Sequence, residues 1–381
     1  MEDKIERRES IDIDEFVRDF LEPNVPVVLG PAFTENWTAR NEWVTDGRPN
    51  FSRIIELYHD TIVQVAECDT AFFTDQKRVE MKFSEFVHQW QENPQSHLYC
   101  KDWHFTKSNP EFCAYTPLPC LSDDWINLYC DNEVSSSDDD YRFCYMGGDG
   151  TWTPFHEDVF RSYSWSANIC GEKRWTLVPP GQNSLFTDSL GGWVHNLDDY
   201  DEQRFPQLRF LKRLEFVQRA GETVFVPSGW WHQVRNVGDT ISINHNWANE
   251  FNLHFLYARL ASDMAAVRHA LRDVADMDGF EEQVQLVLRA DSGTDYRNFI
   301  RFLKYIAGLY MRKIGEPEGC PELLQFDPYF RTAFSVRRAL ERIDSVLGIL
   351  ERDEAVLKLN DIESDVAKLR LQIGSHLCRS G

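Results

Sequence analysis

The chain lacks the features that would place it in a membrane, in a disulfide scaffold or on nucleic acid. No run of about 18 uncharged apolar residues occurs, so no membrane-spanning helix is expected. The opening "MEDKIERRES" is charged and has no signal-like apolar stretch, which gives the expectation of a soluble, unprocessed protein. Nine cysteines are scattered singly, with no Cys-x-x-Cys pair and an odd total. Neither a disulfide framework nor a cysteine zinc module is expected, and a reducing compartment fits best. Basic residues are in the minority, 40 Lys and Arg against 62 Asp and Glu, for a formal charge of -22. Phosphate contacts need clustered Lys and Arg, so neither nucleic acid nor membrane is an expected partner. A basic protein is electrostatically easier, although acidity by itself serves solubility. The expected location is cytoplasmic, with the nucleus left open.

What the sequence does have is the means to pack a sizeable core: 381 residues, 42% apolar and 13% aromatic, enough for one large domain or two ordinary ones. In "IDEFVRDFLEP", Phe16, Val17, Phe20 and Leu21 fall on one helical face before Pro23 ends the helix. "VPVVLG" reads as a buried strand. Residues 33 to 135 are mixed, with a short helix in "FSEFVHQWQE", a strand in "HLYC" and a loop around "YTPLPC". "SSSDDD", at 135 to 140, reads as an exposed turn. From there to about residue 250 the pattern is short strands, "YRFCYMGG", "RSYSWSANIC", "KRWTLVPPG", "LEFVQRAGETVFVPSG" and "TISINHNW", broken by Gly, Pro and acidic turns. That spacing predicts a sandwich or barrel. The expected division is a β-rich domain over 1–250, its core at about 136–250, and a helical region over 251–381. In the last helix Leu359, Ile362, Val366, Leu369 and Ile373 recur every three or four residues. They span about two heptads, which predicts packing inside a helical bundle rather than a dimer seam.

The chemistry concentrates in "TPFHEDVF", where His156 and Asp158 flank Glu157. Chance alone would give about two His-x-Asp/Glu pairs in such a chain, so the pair needs context. On a strand, residues two apart share a face, which brings His156 and Asp158 together and turns Glu157 away. A third ligand from another strand is available in "FVPSGWWHQV", where His232 follows a Pro-Ser-Gly turn. Two histidines and a carboxylate leave coordination positions open, as in non-haem Fe(II) oxygenases, and a catalytic zinc takes the same set. Between the ligands, alternation in "RSYSWSANIC" puts Ser162, Ser164, Ser166 and Asn168 on one small, polar face. Lining a barrel, that face leaves room for a small polar molecule. Lys173 follows a "GE" turn: exposed, it is an ordinary turn lysine, and buried, it calls for a carboxylate on the bound molecule.

At these residues the chain resembles the Jumonji-C (JmjC) family of Fe(II)- and 2-oxoglutarate-dependent oxygenases, a branch of the cupin fold. "TPFHEDVFRSYSWSANICGEKRW" and "VPSGWWHQVRNVGDTISINHNW" carry the match, which extends back through "FLEPNVPVVLGPAFTENW" and "HLYCKDWHF". It covers nearly all of the chain before the C-terminal helices. The resemblance implies a mainly β fold with helical flanks, a double-stranded β-helix (jelly-roll) barrel followed by the helical region. It implies that His156, Asp158 and His232 hold Fe(II), that 2-oxoglutarate chelates the iron with its distal carboxylate on Lys173, and that O2 takes the remaining position. Thr153, Tyr99, Asn244 and Ser166 match positions that help hold the cosubstrate. Asn244 stands where several relatives have threonine, and Ser166 where some have asparagine.

Within the family the resemblance lies with a group of lysyl hydroxylases described as acting on the eukaryotic translation termination factor. It thereby implies a protein substrate with a target lysine. Demethylation of methyl-lysine uses the same iron chemistry, and a cupin scaffold that binds partners without turnover is the alternative from another class. Intact His156, Asp158, His232 and Lys173 argue against the scaffold. The insertion "HNLDDYDEQRF" offers Asp198, Asp199, Asp201 and Glu202 to a basic peptide, although such a run is commonly a solvated loop.

Overall fold

In chain order the strands are β1 (Glu6–Arg8), β2 (Val27–Leu29), β3 (Val44–Thr45), β4 (Arg48–Pro49), β5 (Ile62–Phe72), β6 (Asp75–Lys82), β7 (Leu98–Trp103), β8 (Arg142–Gly147), β9 (Trp152–His156), β10 (Tyr163–Val178), β11 (Leu214–Gln218), β12 (Thr223–Val226) and β13 (Trp231–Trp247). These assignments come from a computed structural model that describes residues 4–72, 75–93, 97–133, 140–315 and 333–379. All but β3 and β4 join one sheet of eleven strands. Two long strands organise it. β10 pairs antiparallel with β12 along its first half and β11 along its second, and β13 pairs likewise with β9 and then β8. The result is two long ribbons lying side by side through β10 and β13. This is the double-stranded β-helix expected of the sequence, with β2, β7, β5 and β6 extending the sheet.

Each ribbon turns at a glycine. Gly171 in β10 and Gly238 in β13 both have positive φ, 71° and 73°. At Gly171 a side chain is excluded twice over, because an added Cβ would sit 2.3 Å from the carbonyl oxygen of Asp239 on the other ribbon. The Asn168 amide donates to the Gly171 carbonyl at 2.7 Å and holds the bend. Gly171→Ala is expected to cost about 2–5 kcal/mol, from left-handed strain plus backbone overlap. Urea unfolding checks it, and an unchanged midpoint would contradict this account of the bend.

The sequence that enters the first strands packs as its pattern requires. Asp12 caps a short helix, Ile13–Phe16, by accepting from the Glu15 N–H at 2.8 Å, with Glu15 reaching back in a capping box. The expected single helix instead widens into a π-turn over Val17–Leu21, where the Glu22 N–H donates to the Val17 carbonyl. Phe16, Val17, Phe20 and Leu21 are all buried, and Phe16 meets Phe225 of β12 edge-on. The helix read in "FSEFVHQWQE" is present as Phe83–Glu92. The turn read at 135 to 140 lies outside the described residues up to 139, and its last member corrects the reading. Asp140 is buried, accepting from His104 at 3.0 Å and pairing with Arg142.

The chain divides into two compact units, the first made of Met1–Leu118, Asp139–Asp158 and Tyr163–Asn246. The second takes Trp247–Gly381 together with Pro119–Asp138 and Val159–Ser162. Its helices include Leu253–Ala270, Phe280–Ser292, Tyr296–Gly315, Ala333–Leu350 and Asn360–Arg379. Leu359, Ile362, Val366, Leu369 and Ile373 are buried where Asn360–Arg379 packs against Ala333–Leu350 and Tyr296–Gly315, the bundle packing their spacing predicts. Among the described residues, no helix is long and apolar enough to cross a membrane. The eight cysteines among them are free.

Candidate metal centre

His156 closes β9 and His232 is the second residue of β13, and the two are direct partners across the ladder. Direct partners project to the same face, and the imidazole centroids lie 4.2 Å apart. Between this pair and the next, Thr153 with Val234, β9 carries one residue more than β13. The extra residue is accommodated as a bulge at Pro154–Phe155, a place where a proline's missing N–H does no harm. The bulge puts Thr153 and His156, three apart, on one face with His232, Val234 and Asn236.

Both imidazoles are oriented in the same way. His156 Nδ1 lies 2.8 Å from the Pro154 carbonyl and His232 Nδ1 lies 3.1 Å from the Trp230 carbonyl, each two residues upstream. A carbonyl only accepts, so each Nδ1 carries the proton and each Nε2 keeps its lone pair for a metal. Burial, and then the neighbouring His232 ring, hold the His156 imidazolium below the usual histidine range, which favours the neutral ligand form.

Asp158 completes the group, in which one ligand atom from each of His156, Asp158 and His232 lies within 4.8 Å of the others. Its route there differs from the one its spacing suggests. β9 ends at His156, so Asp158 stands beyond the strand and does not reach the centre by strand alternation. A serine of the polar face directs it instead, the Ser164 hydroxyl donating to Asp158 Oδ2 at 2.7 Å. Glu157 is not part of the group, as expected.

Lys173 is buried in β10, 2% exposed, and is not a turn lysine. Its Nζ contacts Tyr99 Oη at 3.1 Å and Asn236 Oδ1 at 3.0 Å. Asn236 is held in turn by donating to the Thr151 hydroxyl at 2.8 Å. Among the described residues no carboxylate pairs with Nζ, so the buried amine has only neutral partners. Burial pulls its pKa down to about 7 and pushes that of the Tyr99 phenol up. Ser166 is buried and its hydroxyl donates to Asn244 Oδ1 at 3.1 Å, which leaves the half-buried Asn244 its NH2 as a donor. Thr153 is half-buried on the His156 face. The structure therefore gathers Tyr99 with Lys173, and Ser166 with Asn244. It also gives Ser164 of the polar face a partner in Asp158, and adds Asn236, which the sequence reading gave no role.

A charged network missed by that reading borders Tyr99. The β7–β8 ladder slips between Cys100 and Trp103, and Asp102 there has φ of 56°. Its carboxylate accepts from the Tyr145 hydroxyl and pairs with Arg78 at 2.6 Å, while Lys101 pairs with Asp75 at 2.9 Å. Against the cost of burial, Lys101 and Arg78 hold the Asp102 carboxyl below its usual range. The acidic insertion, by contrast, is a weaker candidate than its composition suggests. Asp198 is already engaged by Arg174, Gln233 and Arg235, and Asp201 accepts from the backbone of Gln203 and Arg204. Asp199 and Glu202 are exposed.

Comparison with known proteins bears on this geometry. A family model described as "Cupin-like domain" matches residues 13–253. The chain is 44% identical over 308 residues to "Arginine-specific demethylase JMJ20" of Arabidopsis thaliana, a match covering 76% of this chain and 66% of that protein. It is 42% identical over 361 residues to "2-oxoglutarate and iron-dependent oxygenase JMJD4" of Danio rerio, covering 89% of this chain and 84% of that protein. With the protein of the same name from Homo sapiens it shares 38% identity over 350 residues, 88% and 82% of the two chains.

Proposed function

Because this chain belongs to the cupin-like domain family, alongside the 2-oxoglutarate and iron-dependent oxygenases it matches, we propose that it is an Fe(II)- and 2-oxoglutarate-dependent protein hydroxylase. Its expected target is a lysyl side chain of a translation termination factor, the substrate that the sequence resemblance implies. One observation carries the reading: two imidazoles locked in one tautomer converge with a carboxylate in a barrel that also buries a lysine whose partners among the described residues are a phenol and an amide.

The donor set fits a ferrous ion, since two neutral nitrogens and one carboxylate oxygen leave positions free for a bidentate keto acid and a gas. His156, Asp158 and His232 would hold it. When bound, iron with 2-oxoglutarate and O2 supplies oxidative decarboxylation of the keto acid coupled to hydroxylation of an unactivated C–H bond. The chain's own residues supply position. Lys173 and Tyr99 take the distal carboxylate of the cosubstrate, and Asn236 keeps Nζ aimed. Ser164 fixes one Asp158 oxygen and leaves the other for the metal. Thr153, on the His156 face, and the Asn244 amide, held by the Ser166 hydroxyl, would offer donors to the rest of the cosubstrate.

A proton-linkage result follows. With its pKa at about 7, Lys173 is mostly neutral above that pH and charged below it before the cosubstrate binds. A bound dicarboxylate favours the ammonium on both sides. Binding therefore takes up a proton above pH 7 and little or none below it, and affinity falls about tenfold per unit as pH rises. Tyr99, Cys144 and Cys170 around it are all pushed up by burial and stay protonated across this range. Calorimetry of 2-oxoglutarate binding to Mn(II)-loaded protein, in two buffers of different ionisation enthalpy, measures the uptake. Equal heats in both buffers above pH 7 would contradict it.

Substrate and reaction are tested together by mass. Incubation with Fe(II), 2-oxoglutarate and the termination factor is expected to add about 16 mass units at a lysine, the mass of one oxygen. The Arabidopsis relative's name gives the competing outcome, a loss of about 14 mass units with formaldehyde from a methylated side chain. No mass change on any basic protein, alongside normal partner binding, would support the scaffold alternative.

A further inference from the structure

We infer that the insertion between β10 and β11, from Asn183 to Leu211, is a clamp that sets the two imidazoles of the metal centre, an inference that rests on reading His156 and His232 as iron ligands. The residue before each histidine is an aromatic, Phe155 and Trp231, and both belong to one apolar cluster with Phe186, Val194, Leu197 and Phe205 of the insertion. Phe155, Phe186 and Trp231 form a closed triangle of rings with centroids 4.9 to 5.2 Å apart. Successive residues of a strand point to opposite faces, so the clamp grips the back of the two strand ends whose fronts carry the imidazoles.

Backbone and polar ties act at the same places. The Phe155 N–H, in the β9 bulge, donates to the His195 carbonyl at 3.0 Å. On the other strand Gln233, the residue after His232, accepts from the Leu197 N–H at 2.8 Å and donates to Asp198 at 3.2 Å. Asp198 also pairs with Arg174 at 2.6 Å and Arg235 at 3.5 Å, which fastens the insertion to β10 and β13. Every one of these contacts falls within three residues of a histidine or just past Lys173. A close-packed cluster resists displacement, so the spacing of the imidazoles depends on it.

The test uses full-length protein and Co(II), whose visible absorption reports ligand geometry. Phe186→Ala opens the ring triangle, and Asp198→Asn takes the charge out of the polar tie to Arg174 and Arg235 at the surface without a cavity and carries the test if Phe186→Ala does not fold. At a temperature where circular dichroism shows the fold intact, each is expected to weaken Co(II) binding by roughly tenfold or more, the effect typical of losing a ligand's supporting contact. The absorption spectrum is expected to change with it, and Phe186→Leu to restore most of both. Val366→Ala, buried in the helical unit, should lower the melting temperature and leave Co(II) affinity unchanged. Wild-type affinity and spectrum in folded Phe186→Ala and Asp198→Asn would overturn the clamp. Loss of the reading beneath it looks different, since wild type would then bind Co(II) no better than His232→Ala.

Discussion

His232→Ala is expected to abolish turnover and to weaken Fe(II) or Co(II) binding by well over a hundredfold. The size follows from position. Among the described residues, His232 is one of three donors in the group, its Nδ1 proton is committed to the Trp230 carbonyl, and its Nε2 makes no hydrogen bond. Removing a contact that merely supports a ligand commonly costs 10- to about 100-fold in affinity, and removing the ligand itself costs more. The fold should tolerate the change, because His232 contributes its backbone to the β9–β13 ladder and alanine preserves that. Metal titration and succinate formation are the two readouts. Retained affinity together with retained turnover would remove His232 from the ligand set, and with it the identity of the site.

Lys173→Met should leave a folded, metal-binding protein that no longer takes up 2-oxoglutarate at ordinary concentrations. The carboxylate of the cosubstrate would be left buried with only the Tyr99 hydroxyl beside it. Stranding one partner of a buried ion pair costs about 3–5 kcal/mol, or roughly a hundred- to several-thousand-fold in affinity. Stability is pulled two ways. The folded pKa of about 7 lies below the ordinary lysine value of 10.5, so this amine destabilises the fold at neutral pH, and that cost lifts only as pH rises toward 10.5. Methionine removes the cost but leaves Tyr99 and Asn236 short of one hydrogen bond each, so the two effects offset and the melting temperature should move little. A sharp loss of stability with unchanged cosubstrate affinity would make Lys173 a structural residue and move the distal carboxylate elsewhere.

Much of the site was legible in the chain because strand chemistry is local. His156 and His232 could be paired from their flanking motifs, and the Ser164–Ser166 face from simple alternation. What was not legible depends on partners distant in sequence. The bulge at Pro154–Phe155 exists only against Gln233, and without it Thr153 and His156 would fall on opposite faces. Asp158 reads as a strand residue, yet its place is set by a hydroxyl six positions on. Asn236 looks like any polar residue of a strand until Lys173 is seen to be buried against it. Elsewhere charge concealed structure. "DQKRVEMK" has the composition of a loop but forms β6, because one strand at the edge of a sheet needs few buried residues. The acidic run around Asp198 drew attention away from Phe186, Val194 and Phe205, which fold the same insertion into an apolar cluster.

The most direct measurement is an anaerobic titration of the protein with Fe(II) and then 2-oxoglutarate, followed in the visible spectrum. A keto acid that chelates ferrous iron through its ketone and carboxylate gives a charge-transfer band that neither component gives alone. The account predicts this band at one equivalent of iron in the wild type, its absence in His232→Ala, and its appearance in Lys173→Met only at far higher 2-oxoglutarate. A wild-type protein that binds iron and shows no band at any 2-oxoglutarate concentration would contradict it.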